Sequence, residues 1–161
     1  MKKVLIVMAV TMITAWNATG QEIADNAIGL RFGGGDGFGT EINYQRALGE
    51  NRLELGLGFV SNDNYDGFRA SGIYQWVWNL DSNFNWYAGP GAGISTISID
   101  DRFGPLFDDS ETALFAAGQI GIEYNFGIPL LISLDVRPEL YFGDFRDDLD
   151  FDIALGIRYQ F

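Results

Sequence analysis

The chain has no cysteine and no histidine, and its only lysines are Lys2 and Lys3. Without cysteine, neither a disulfide framework nor a lipid-modified cysteine anchor is available. Without histidine, the commonest general base and metal ligand is missing, so hydrolase mechanisms built on that residue are excluded. Proline is scarce, with four in 161 residues, and the longest apolar run, Val4 to Trp16, holds about thirteen residues. A membrane-spanning helix needs ~20. No stretch carries a long amphipathic helix pattern either.

Glycine, aromatics and acids are plentiful: 21 glycines, 15% aromatic residues and 22 Asp plus Glu. The first twenty residues read as a cleaved signal peptide, with Lys2 and Lys3 before the apolar run and Ala18-Thr19-Gly20 offering small residues for cleavage before Gln21. The mature chain, 21–161, then holds eight arginines against 22 acids, a net charge of −14. Such a surface repels nucleic acid.

Eight segments alternate with a period of two, which places successive side chains on opposite faces of a strand. The clearest is Phe151–Phe161, where Phe151, Ile153, Leu155, Ile157, Tyr159 and Phe161 oppose Asp152, Ala154, Gly156, Arg158 and Gln160. The others lie at about 27–33, 38–45, 52–59, 68–78, 86–96, 114–126 and 130–141. Short turns are expected around 48–51, 80–83 and 127–129, and longer connections at 61–67, 97–111 and 143–150. Gly33 to Gly37 reads as a hairpin turn, since it lacks the Lys-Ser/Thr of a phosphate loop. Eight antiparallel strands with alternating short and long connections suit a closed up-and-down barrel, which leaves no sheet edge unpaired. Pro90 and Pro138 fall inside strands, where bulges are expected.

Two features decide which face points outward. With the apolar face outside, Tyr44, Trp76, Trp78, Trp86, Tyr124, Phe126, Tyr159 and Phe161 gather at the short-turn ends. Phe32, Phe38, Phe59, Phe68, Phe142 and Phe151 gather at the long-loop ends. Two aromatic girdles around an aliphatic band match the two interfaces of a bilayer. The opposite face holds Arg31, Arg52, Arg69, Arg137 and Arg158 with Glu41, Glu54, Glu123, Asp135, Glu139 and Asp152. Five cations and six anions predict an ion network inside the lumen, because unpaired buried charges are costly.

The end of the last segment resembles the closing-strand assembly signal of bacterial outer-membrane β-barrels. Gly156, Tyr159 and Phe161 match it, while Ala154 stands where the signal prefers a polar residue. With the signal-like start, the eight segments and the Arg137-Pro138-Glu139 region, the chain from about Ile28 to Phe161 resembles the small outer-membrane β-barrel domains of OmpA/OmpX type. The resemblance implies an all-β, eight-stranded antiparallel transmembrane barrel, monomeric and integral in the bacterial outer membrane. It implies outer-membrane lipids, lipopolysaccharide and the barrel assembly machinery as partners, and no cofactor. Since this architecture hosts many activities, it implies little about function. With no further domain after Phe161, peptidoglycan anchoring is not expected.

Individual sites are weak. Asp135 and Glu139 flank Arg137 and fit an ion network better than a catalytic carboxylate pair. Asn62 to Gly67 resembles a calcium loop only briefly, because its twelfth position is Ile73 and not Glu. The acidic stretches Asp100, Asp101, Asp108, Asp109, Glu111 and Asp144, Asp147, Asp148, Asp150 read as solvated loops, or as places where divalent cations bridge to lipopolysaccharide phosphates. An eight-stranded interior is just wide enough for its own side chains. Tyr87, Phe115 and Tyr141 fill it further, although Gly56, Gly58, Gly89, Gly91 and Gly93 leave room for local cavities. The expected function is a non-enzymatic envelope or surface-interaction barrel, with a minimal channel or a carrier of small hydrophobic ligands as the alternative.

Overall fold

The computed structural model describes residues 24–34, 38–61, 65–99, 110–142 and 149–161. The proposed signal peptide, most of the acidic loops and the tip of the 61–67 connection lie outside them. Eight antiparallel strands close into one barrel in sequence order: β1 Asn26–Phe32, β2 Thr40–Leu48, β3 Asn51–Ser61, β4 Tyr65–Asp81, β5 Phe84–Ile99, β6 Ser110–Asn125, β7 Leu130–Phe142 and β8 Leu149–Gln160. Every neighbouring pair is joined by backbone ladders, including β1 to β8, so the barrel has no open edge.

The register fixes the barrel's shape. Partners followed round the wall from Ile28 are Tyr44, Leu55, Gly72, Ala92, Ala116, Leu140 and Leu149. Continuing the β8–β1 register from Leu149 leads to position 38. That stagger of ten residues in eight strands corresponds to a strand tilt of about 40° and an interior only wide enough for side chains.

Period-two alternation holds along the strands. Ile28, Leu30, Ile42, Leu55, Leu57, Ile122, Leu134, Ile153 and Leu155 are exposed on the outer wall, while the arginines and carboxylates expected on the opposite parity are buried inside. A soluble barrel with an apolar interior has the reverse arrangement. The strands run further towards the long loops than the sequence suggests. β3 continues to Ser61 and β4 begins at Tyr65, while β5 and β6 reach Ile99 and Ser110.

Three expectations need correction. Phe38 is not on the outer wall; it is buried, beneath the long-loop rim. Gly39 has φ of +73°, Gly33 N donates to Gly39 O at 2.7 Å and Thr40 N donates to Phe38 O at 2.8 Å. This tight turn breaks the alternation before β2 starts and turns the ring inward against Gly58 and Gly67. Gly39 takes up the left-handed conformation because it has no Cβ.

The prolines do not shift the register either. Pro90 stays paired with Gly118, and pairing resumes in the same register on either side of both prolines; on β7–β8, Pro138 pairs with Phe151. Gly118 lies between them, and a Cβ there would sit 3.5 Å from the Pro138 ring. The one irregularity in these ladders is at Asn79/Asp81, beside a short turn.

Finally, the inward glycines do not leave cavities at the positions expected. A Cβ at Gly89 would overlap the Tyr74 carbonyl, and one at Gly91, Gly93 or Gly56 would overlap Ile73, Phe115 or Ser71. Those last three neighbours are the glycines' own cross-strand partners. Tyr87 lies over its partner Gly121 in the same way. Bulky inward groups therefore rest on glycines of the adjacent strand, which is how a narrow barrel reaches close packing.

Candidate functional site

The chemistry-bearing groups meet in the lumen. All eleven charged residues expected there are buried: Arg31, Glu41, Arg52, Glu54, Arg69, Glu123, Asp135, Arg137, Glu139, Asp152 and Arg158. Seven strands supply them. β5 contributes Tyr87, Asn85 and Ser95 instead.

Hydrogen bonds join these residues into one network. Near the long loops, Arg69 binds Glu139 and, at 3.0 Å, Glu41. Tyr141 OH accepts from Arg69 at 3.0 Å and donates to Glu139 at 2.9 Å. The Arg69 guanidinium also lies 4.4 Å from the centre of the Phe115 ring and 5.9 Å from that of Phe38, a favourable cation–π geometry in a desolvated place.

In the middle, Arg31 reaches three carboxylates: Asp135 at 2.7 Å, Asp152 at 2.5 Å and Glu41 at 3.4 Å. Asp152 also accepts from Gly34 N at 2.9 Å, which ties the start of the β1–β2 connection to the network. Arg137 bridges Glu41 at 3.0 Å and Glu54 at 3.2 Å. Glu54 further accepts from Arg158 at 3.1 Å, Gln45 at 2.7 Å and Gln119 at 3.3 Å. Arg158 donates as well to Asn43 and, at 2.6 Å, to Ser133.

Towards the short turns, Gln119 accepts from Gln75 at 2.6 Å, and Gln75 accepts from Arg52 at 2.5 Å. Arg52 then grips Glu123 with two bonds of 2.9 and 2.6 Å. Planar guanidinium forks suit such sites because one arginine can serve several carboxylate oxygens. Two buried donors, Asn43 Nδ2 and Arg137 Nε, have no acceptor among the described residues.

The neutral amides Asn43, Gln45, Gln75, Asn85 and Gln119 are members the charge pattern alone does not reveal. Their inward parity is legible in the sequence, but their role as links between ion pairs depends on contacts across the barrel. At the short-turn end, Ala27, Gln45, Arg52, Asn85, Glu123 and Gln160 line part of a recess of about 10 Å³. That is room for about one water and not for an organic ligand.

The outer wall carries the girdle residues. Trp78 and Trp86 stack at 4.2 Å, Tyr124 packs edge-on against Phe84 and Phe126 at 4.7 Å each, and Trp76 meets Tyr74 at 5.6 Å. Tyr44 donates to Asn26 Oδ1 at 2.6 Å. In the β8 assembly-signal residues, Tyr159 and Phe161 stack at 6.2 Å, and Gly156 leaves space that Ser133 and Arg158 occupy. Tyr74 and Phe84 join this girdle beyond the residues named from the sequence. Phe59 and Phe68 pair at 5.3 Å near the opposite rim.

A buried ionic interior thus lies inside an apolar, aromatic-rimmed wall. No family profile and no curated protein sequence matches the chain. Solved structures do. The N-terminal β-barrel domain of Pseudomonas aeruginosa OprF superposes with a TM-score of 0.66 at 13% identity, covering 86% of this chain and 98% of that one. Neisserial surface protein A gives 0.61 at 11% identity, with 84% and 94% covered. The Yersinia pestis attachment invasion locus protein Ail, in complex with the heparin analogue sucrose octasulfate, gives 0.51 at 17% identity, with 84% and 96% covered. The fold is that of the small outer-membrane β-barrels. Arg46 is a further residue that the apolar pattern of the sequence hides. It lies on the apolar parity of β2 and is exposed on the outer wall of this barrel.

Proposed function

We propose that the protein is a non-enzymatic, integral outer-membrane barrel with a closed lumen, which supports the envelope or presents its loops at the cell surface. The observation that carries this reading is the lumen: eleven charged residues in one network, with Tyr87 and Phe115 resting on glycines and, among the described residues, a recess of only about 10 Å³ at the short-turn end. Its ionic lining also disfavours an apolar ligand. The absence of histidine removes the usual catalytic bases. Girdles and outward apolar side chains support residence in a bilayer, with the short turns on the periplasmic side as in barrels of this fold.

The outer loops are acidic, with Asp100, Asp101, Asp108 and Asp109 beside one Arg102, and Asp144, Asp147 and Asp148 beside one Arg146. A polysulfate of the kind bound in the Ail complex is repelled by such loops. Divalent cations bridging them to lipopolysaccharide phosphates suit their charge. Folding through the barrel assembly machinery suits the strand carrying Gly156, Tyr159 and Phe161.

The test is planar-bilayer recording of the folded protein. The expected result is no steady ionic conductance; a reproducible single-channel step overturns the closed-lumen reading in favour of a minimal channel.

A further inference from the structure

Arginines in the described residues all enter the lumen, with one exception. Arg46 stands on the outer wall of β2, next to the turn that joins β2 to β3. Its cross-strand partners are Asn26 on β1 and Leu53 on β3. Asn26 Oδ1 accepts from Arg46 Nη1 at 2.9 Å and from Tyr44 OH at 2.6 Å. Asn26 is itself fixed by the closing strand, since its N donates to Phe161 O at 3.1 Å and Phe161 N donates to Asn26 O at 2.9 Å.

One side of the guanidinium is therefore held against the wall, and its other N–H groups find no acceptor among the described residues. Tyr44 and the stacked Tyr159 and Phe161 mark this height as the membrane interface. The only outward cation among the described residues thus sits where a bilayer presents its phosphates, and the other exposed charges among those residues are acidic.

We propose that Arg46, oriented by Asn26 and Tyr44, binds the phosphate of one phospholipid headgroup in the leaflet on the short-turn side. The occupant is a phospholipid because charge complementarity requires an anion at interfacial depth. The fork of a guanidinium donates to two phosphate oxygens, while the Tyr159, Phe161 and Leu53 side chains flank the site with apolar surface for the glycerol and upper acyl chain. This proposal rests on the membrane reading above.

The test folds the full chain, and separately its Arg46→Gln and Arg46→Lys variants, into vesicles of phosphatidylethanolamine and phosphatidylglycerol. Native mass spectrometry after gentle detergent release then counts retained phospholipid. The wild type is expected to retain one phospholipid that Arg46→Gln loses by roughly fivefold, the effect of one interfacial cation on an anionic lipid. Arg46→Lys is expected to retain an intermediate amount. Equal retention by wild type and Arg46→Gln, with both folded, overturns the site while leaving the membrane reading intact. Retention of added lipopolysaccharide in preference to phospholipid also overturns it. Failure of the wild type to enter vesicles overturns the membrane reading and this proposal together.

Discussion

Replacing Arg31 by methionine is expected to lower the unfolding free energy of the barrel by about 3–5 kcal/mol, the usual cost of removing one partner from a buried ion cluster. Arg31 is the shared donor of Asp135 and Asp152 and also touches Glu41. Without it, Asp135 keeps Tyr87 OH at 3.3 Å and Asp152 keeps Gly34 N at 2.9 Å, but neither retains its short contact to this guanidinium. The loss thus comes from carboxylates deprived of their shared guanidinium and not from missing packing, which methionine largely replaces.

The two contributions separate in a triple variant. Adding Asp135→Asn and Asp152→Asn to Arg31→Met removes the two charges that Arg31 balances, so most of the lost stability is expected to return. Urea unfolding of the protein in phosphatidylcholine vesicles, followed by tryptophan fluorescence, checks both values. A change below ~1 kcal/mol for Arg31→Met would show that the lumen is hydrated enough to screen its charges.

The second large effect lies one layer outward. Leu134 is half exposed on the outer wall of β7, between Ile122 and Leu155 in register. Leu134→Arg is expected to cost about 2–4 kcal/mol in a bilayer, because lipid cannot solvate a guanidinium at that depth, while Phe151→Arg at the long-loop rim is expected to cost about 0–1 kcal/mol. The same vesicle titration measures both. If Leu134→Arg were neutral or raised stability, the outer wall would face water. The comparison at the rim guards against a general intolerance of arginine.

Much of this architecture is legible in the amino-acid sequence. Period-two alternation in β8 and β7 places Leu134 outside and Asp135 inside, since a strand's geometry leaves no other choice once one face is known. The set of lumen charges follows from the same parity. The pairing within that set does not, because Arg31 and Asp152 are 121 residues apart and meet only when β8 returns beside β1. Phe38 escapes the pattern because alternation assumes an extended chain, and Gly39 interrupts it with a left-handed turn. Pro90 and Pro138 give a false bulge signal: each lacks a donor, yet the register runs past both, with Gly118 between them. Arg46 is hidden for the opposite reason, as a charge on the parity reserved for apolar groups.

The proposed barrel is closed and spans the outer membrane with its ionic network inside. Gel mobility of outer-membrane fractions, boiled against unboiled, tests it most directly. The chain is expected in that fraction, migrating differently without boiling because the closed, detergent-resistant sheet stays folded. A chain in the soluble fraction with no mobility shift would contradict it.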